Sequence, residues 1–161
     1  EQQFVEDVKE RIQALAEERP EIAELIDNLK VERSDKGVRI ELIDDISQPM
    51  FQLGSSDLDT AVKPLVAEVA KLVAGTKNRL LITGHTDARP FRGRAAYDNW
   101  NLSSDRAHAT RRALIAAGVP PTQIAGVIGK GASDPAIKAA PNDARNRRIG
   151  ILLLREGDNG A

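Results

Sequence analysis

The sequence predicts an α/β fold, more narrowly an α+β two-layer sandwich, in which helices cover one face of a mixed β-sheet. Short strand-like segments alternate with segments of helical periodicity, and a hairpin precedes them. An amphipathic segment comes before the hairpin. The 161 residues are enough for one such domain with a helical extension.

The N-terminal segment has the apolar spacing of a helix. Apolar residues recur every three or four positions from Phe4 to Leu29, and Pro20 interrupts the pattern, which predicts a second helix starting there. The segment is interpreted either as a helix packed on the domain or as a linker or dimer helix. Because the sequence starts at Glu1 without Met or a signal sequence, we expect a longer protein.

We divide the chain into a helical linker or extension at 1–29, a domain at 30–155 and a disordered tail at 156–161. The elements predicted within the domain are strands at 29–34 and 38–43, a helix at 57–74, a strand at 79–84, a helix from 99 to about 118, and strands at 124–128 and 149–154.

Composition excludes several functions. The net charge is −1 and no long basic tract occurs, so we expect no nucleic-acid partner. Cysteine is absent, which excludes thiol catalysis, disulfides and cysteine-bound zinc. No HExxH motif or carboxylate-rich run is present, and we expect neither a metal nor a cofactor. Ser103 and Ser104 have the pattern of helix capping and lack a GxSxG elbow, so we expect no enzymatic activity.

The sequence predicts that an acid, Asp87, and a base, Arg106, lie close together. Asp87 lies just past the apolar run 80–84, and Arg106 lies in the first turns of the following helix. A carboxylate and a guanidinium side by side can hold a zwitterion, because one binds an ammonium and the other grips a carboxylate with two parallel hydrogen bonds. This is the chemistry of amino-acid binding. The structural alternative is an internal salt bridge between the two side chains.

Several motifs occur in an order that resembles the OmpA-like peptidoglycan-binding domains. The resemblance covers about residues 37–155. It rests on Gly84-His85-Thr86-Asp87, Asn99-x-x-Leu102-Ser103-x-x-Arg106-Ala107 and Asn146-Arg147-Arg148-Ile149, with support from Phe51-x-x-Gly54-Ser55-x-x-Leu58 and from Gly129-x-Gly131 with Pro135.

The resemblance implies a ligand, the diaminopimelate of the peptidoglycan stem peptide. Asp87 would bind its amine and Arg106 its carboxylate. The remaining implied site residues are Thr86, which would complete the hydrogen bonding, Leu102, which would line the pocket, and Asn99 and Arg147, which would hold the loop and Arg106 in place.

One departure narrows the resemblance. The stretch between Asp87 and Asn99 is longer than in typical members, and it leads into Asn99-Trp100, as in the wall-anchoring subunits of flagellar motor stators. This resemblance implies that the chain is the periplasmic domain of an inner-membrane protein, that it forms a homodimer and that it has a membrane-embedded stator partner subunit. Ala132 replaces the family's Glu in the later loop. The alternatives are a wall-tethering domain of an outer-membrane protein or lipoprotein, a peptidoglycan-acting enzyme, and a dimerisation module.

Overall fold

The computed structural model describes residues 1–45, 48–52, 55–91 and 95–155. The tail predicted at 156–161 and Gly54 of the predicted motif lie outside these residues. The described helices are α1 (Gln2–Glu18), α2 (Pro20–Ala23), α3 (Lys63–Ala74) and α4 (Asn99–Ala116), and the strands are β1 (Leu29–Ser34), β2 (Gly37–Ile43), β3 (Leu80–His85), β4 (Ile124–Gly129) and β5 (Arg148–Leu154).

The strands form one mixed sheet in the order β1-β2-β5-β3-β4. The β3–β4 pair is parallel, while β1–β2, β2–β5 and β5–β3 are antiparallel. Helix α4 lies between the two parallel strands in sequence, since a parallel pair needs a crossover connection. The predicted mixed sheet and its helical layer are confirmed.

Apolar side chains from successive strands meet on the helix-covered face. Val31, Ile40, Ile151 and Ile82 occupy one row across β1, β2, β5 and β3, and all four are buried. The residues that alternate with these along each strand lie on the other face, which carries polar residues such as Arg39 on β2. This period of two is expected where only one face of a sheet is covered.

Helix α1 packs on the domain. Its buried residues Val5, Val8, Ile12 and Leu15 belong to the same apolar core as Val31 of the sheet. Burying one such side chain stabilises a fold by roughly 1.5–3 kcal/mol. The first of the two interpretations of the N-terminal segment therefore describes this structure, whereas the division of the chain at residue 29 stays a prediction.

Helix α3 begins later than predicted. The expected start at residue 57 is wrong, because Leu58 pairs with Phe51 in an isolated antiparallel bridge. Asp59 then has an extended backbone, and its carboxylate accepts a 2.9 Å hydrogen bond from the Ala61 nitrogen at the start of a short 3₁₀ turn. The cap and the bridge thus delay α-helical geometry until Lys63.

Among the described residues, the structure contains no helix with the length and apolar character needed to span a membrane.

Gly84 brings α4 close to β3. A Cβ at this position would lie 2.1 Å from the carbonyl oxygen of Ser103 on α4. The obstructing atom belongs to the helix backbone, so no side-chain rotation can relieve the contact. The helix can approach the strand this closely only where the strand carries glycine.

We therefore expect Gly84→Ala to lower the free energy of unfolding by about 1–3 kcal/mol, the usual cost of overpacking. Urea denaturation measures the change. Gly75→Ala is the matched control, since Gly75 has φ −72° and a Cβ there would make only ordinary contacts, the nearest at 3.5 Å. Equal stability of the two variants would contradict the close approach of α4.

Candidate functional site

The candidate site lies where β3 ends and α4 begins, beside the segment that enters β5. Asp87 follows β3 by two residues, and Arg106 lies on the second turn of α4. Both are buried, with 6% and 7% of their surface exposed. The predicted acid and base therefore lie in one buried cluster of charged side chains, and the charge of Asp87 acts on the pKa of Arg106.

Asp87 is held by the segments on either side of it. Its Oδ2 accepts a 2.5 Å hydrogen bond from Nη1 of Arg147, and its Oδ1 accepts one of 3.0 Å from the Arg89 nitrogen. The ion pair of Asp87 is thus with Arg147. Among the described residues, the alternative salt bridge between Asp87 and Arg106 is not formed.

Arg147 connects two carboxylates. Besides Asp87, its Nε donates to Oδ2 of Asp44 at 2.6 Å, and the Asp44 nitrogen donates to the Arg147 carbonyl at 2.9 Å. The second oxygen of Asp44 accepts from the Met50 nitrogen. Burial acts to lower the pKa of Arg147, but hydrogen bonds to Asp44 and Asp87 outweigh it and raise that pKa. Its guanidinium is thus paired with these two acids, and its predicted role in holding Arg106 stays a prediction.

Arg106 is a buried cation without an ion-pair partner among the described residues. Its Nε donates to the Ser55 carbonyl at 2.9 Å, and its guanidinium carbon lies 4.8 Å from the centre of the Phe51 ring. Burial is the main cause that lowers its pKa, and the positive charge of Arg147 adds to that effect. The outer nitrogens of the guanidinium make no hydrogen bond within the described chain.

The loop after β3 is fixed by Thr86 and Asn99. The Thr86 nitrogen donates to the Gly131 carbonyl at 2.8 Å, and its hydroxyl donates to the Asp87 carbonyl at 2.9 Å. Asn99 Nδ2 donates to the carbonyls of Arg89 at 2.9 Å and Asp87 at 3.4 Å. These hydrogen bonds connect Asn99 to the loop, and its predicted role in the ligand site stays a prediction.

Leu102 and Ser103 face inward from the start of α4. Leu102 is buried but lies outside the main apolar core of the described residues. Ser103 is not a cap, because Asp98 caps the helix and Ser103 lies in its second turn. Its hydroxyl donates to the Trp100 carbonyl at 3.1 Å and accepts from the Gly131 nitrogen at 2.9 Å.

Sequence reasoning missed Asp44 and the side of the site formed by Phe51 and Ser55. Asp44 directly follows β2, which pairs with β5 so that Ile43 lies opposite Arg148. That register places Asp44 next to Arg147. The signal was available in the sequence, since an acid follows one strand and an Arg precedes another, but using it requires the strand order.

His85 ends β3 beside Arg148 on β5. Burial lowers its pKa from 6.5 to about 4, with a further contribution from Arg148. Its Nδ1 is buried and has no hydrogen-bond partner in the described structure. His85 is therefore neutral near pH 7. No cluster of three or more potential metal-ligating side chains occurs within the described ranges.

Strand order, a single helical layer and a charged cluster after β3 define an α+β sandwich domain with its site at a strand end. The chain belongs to the OmpA family, whose model matches residues 50–148. It is 36% identical over 143 residues to motility protein B of Escherichia coli K12. That alignment covers 88% of this chain but 46% of the relative, so the chain spans about half of that protein's length.

Two solved structures share the fold. The periplasmic domain of Helicobacter pylori MotB matches with a TM-score of 0.69 at 20% identity, covering 80% of this chain and 89% of that one. The cell wall anchor of the Pseudomonas aeruginosa T6SS matches with a TM-score of 0.70 at 25% identity, covering 85% of this chain and 96% of that one.

The lowered pKa of His85 predicts a pH-dependent stability. Because its folded pKa lies below the unfolded value, the unfolded chain binds more protons between about pH 6.5 and pH 4. The stabilisation is complete above that window and is lost as the pH falls through it. We expect the melting temperature to fall less from about pH 7 to about pH 5 in His85→Gln than in the wild type.

His108 provides the control. It is exposed on α4, so His108→Gln is expected to follow the wild-type pH profile of melting temperature. If His85→Gln also follows the wild-type profile, the burial of a neutral His85 is wrong.

Proposed function

We propose that this site binds the diaminopimelate of the peptidoglycan stem peptide without a covalent step. Asp87 binds the ammonium at the far end of that residue, and the outer nitrogens of Arg106 grip its carboxylate. Thr86 and backbone N–H groups complete the hydrogen bonding and Leu102 lines the pocket. Asn99 and Arg147 act as positioning residues, Asn99 on the loop and Arg147 on the carboxylate of Asp87.

The observation that carries this proposal is the buried, unpaired guanidinium of Arg106. A buried charge is costly unless a partner compensates it, and Arg106 has a carbonyl and an aromatic face but no carboxylate within ion-pair distance in the described structure. An incoming carboxylate supplies the missing charge. A guanidinium can donate two parallel hydrogen bonds to a carboxylate, whereas the ammonium of a Lys acts only as a point charge.

Asp87 can serve both Arg147 and a ligand. An ionised carboxylate has about four lone-pair positions, and the described contacts of Asp87 use one hydrogen bond on each oxygen. Two acids, Asp44 and Asp87, and two bases, Arg106 and Arg147, leave the cluster with no net charge. A zwitterion carries none either, so binding it requires no change in the charge balance.

We further infer that the domain anchors a flagellar motor stator to the cell wall. The 36% identity to an Escherichia coli motility protein B supports this, as does the likeness to a structure described as a cell wall anchor. In this proposal the domain lies in the periplasm, and the rest of the protein supplies a membrane helix, a MotA-like stator partner and contacts with a second copy of the chain. Several weak sites held together gain avidity.

The same site could tether an outer-membrane protein or lipoprotein, but the relatives and the Asn99-Trp100 segment favour the stator. Catalysis on peptidoglycan by Ser103 is disfavoured, because its hydroxyl is already used in two hydrogen bonds. We therefore propose binding only. Release of soluble muropeptides from purified cell wall by this domain would contradict that.

Asp87→Asn is expected to weaken binding of diaminopimelate and retention on insoluble peptidoglycan about ten- to a hundredfold. One charge-assisted hydrogen bond contributes roughly 1.5–3 kcal/mol, and the amide keeps the shape of the side chain. Calorimetry and pull-down measure the change. Asp7→Asn removes the same charge from an exposed position on α1 and should bind normally. Undiminished binding by Asp87→Asn would contradict the proposed role.

Arg106→Lys is expected to weaken binding of diaminopimelate nearly as much, because an ammonium cannot form two parallel hydrogen bonds with a carboxylate. Arg112→Lys, at an exposed position on the same helix, is the matched control. Thermal melting verifies that both variants fold. Wild-type affinity in a folded Arg106→Lys protein would rule out the bidentate grip.

A further inference from the structure

Trp100 is an exposed aromatic side chain beside the site. It is 55% exposed, and among the described residues the other exposed large hydrophobic side chain is Ile128, at 36%. The chain contains one Trp. The apolar core of the described residues does not include this ring, so its exposed surface is available for a contact outside the fold.

The indole ring of Trp100 packs against Gly131. A Cβ on Gly131 would lie 3.3 Å from Cδ2 and 3.4 Å from Cε3 of Trp100, so the indole lies against the bare backbone of that glycine. Gly131 has φ +53°, a left-handed conformation that favours glycine. Its nitrogen donates to Ser103 Oγ, and its carbonyl accepts from the Thr86 nitrogen.

The same hydrogen bonds connect the ring to the diaminopimelate site. Thr86 is adjacent to Asp87, and Asn99, which precedes Trp100, donates to the Asp87 carbonyl. The backbone nitrogen of Trp100 donates to Asp98 Oδ1 at 3.0 Å, and the backbone carbonyl of Trp100 accepts from the hydroxyls of Ser103 and Ser104. Trp100 is therefore held by residues that are also hydrogen-bonded to the segment around Asp87.

The surroundings of the ring suit a sugar better than a protein. Asn101 beside it is exposed, and Ser104 and Lys130 are partly exposed, so polar groups lie beside the exposed aromatic surface. A stable protein interface buries about 800 Å² on each partner around an apolar centre. A pyranose instead presents one C–H face to the negative face of an aromatic ring, with polar groups around its rim for neighbouring donors and acceptors.

We propose that Trp100 is the stacking platform for an N-acetylated pyranose of the glycan strand. This rests on the proposed function and extends it from the stem peptide to the sugar that carries the peptide. Diaminopimelate is the third residue of the stem, and three extended residues span about 10 Å. That reach lets one peptide connect a pocketed diaminopimelate to a sugar on the adjacent turn of α4.

The test compares two probes by calorimetry, free diaminopimelate and a disaccharide-tetrapeptide muropeptide. For the muropeptide we expect Trp100→Ala to lower affinity about three- to tenfold and Trp100→Phe to retain most of it, because a smaller aromatic face still stacks. Both variants are expected to bind diaminopimelate as the wild type does. Ile128→Ala is the matched control and is expected to leave both affinities unchanged.

Fluorescence gives a second measurement, since Trp100 is the chain's one indole. The muropeptide is expected to shift its emission, whereas diaminopimelate alone is not.

Equal loss of both affinities in Trp100→Ala would overturn the proposal, because the ring would then support the pocket. Unchanged muropeptide affinity of Trp100→Ala would overturn it too. If the wild type is then a dimer in sedimentation and Trp100→Ala is a monomer, the ring is a protein contact. Wild-type protein that binds neither probe would overturn the proposed function itself.

Discussion

The site depends on the double ion pair of Arg147 with Asp44 and Asp87. Strand β5 runs between β2 and β3, antiparallel to both, so the segments leaving β2 and β3 flank the segment that enters β5. Arg147 lies at that entry and reaches an acid on each side. Without its guanidinium, two buried carboxylates would remain near each other uncompensated, which costs far more than an exposed ion pair contributes.

This double ion pair explains why Arg106 has no acid of its own. Both nearby carboxylates already bind Arg147, whose positive charge also acts on Arg106. The stacking on Phe51 and the hydrogen bond to Ser55 hold the Arg106 guanidinium in place, and among the described residues no carboxylate lies within ion-pair distance of it. Arg147 is therefore paired with acids of the fold, whereas Arg106 is the cation that the proposed function assigns to the ligand carboxylate.

The sequence predicts the parts of this arrangement that are local. Alternation at β2 and the short apolar run at β3 located those strands, and the positions of Asp87 after β3 and Asn99 at the start of α4 followed from element boundaries. The Arg147–Asp44 contact joins residues 103 positions apart and requires the strand order, which periodicity does not contain. The start of α3 was misplaced for a similar reason, because the Phe51–Leu58 bridge is tertiary.

Close packing of α4 on the sheet brings the two halves of the site together. A Cβ at Gly84 would meet the Ser103 carbonyl, and one at Gly129 would lie 2.0 Å from Ser104 Oγ, so glycines on β3 and β4 let this helix approach the strands. Arg106 lies in the same turn of α4 as Ser103 and Ser104. A wider helix–sheet spacing would move its guanidinium away from Asp87, although neither charged residue had changed. The proposed recognition of a zwitterion therefore depends on uncharged residues in the helix–sheet interface as well as on the acid and the base.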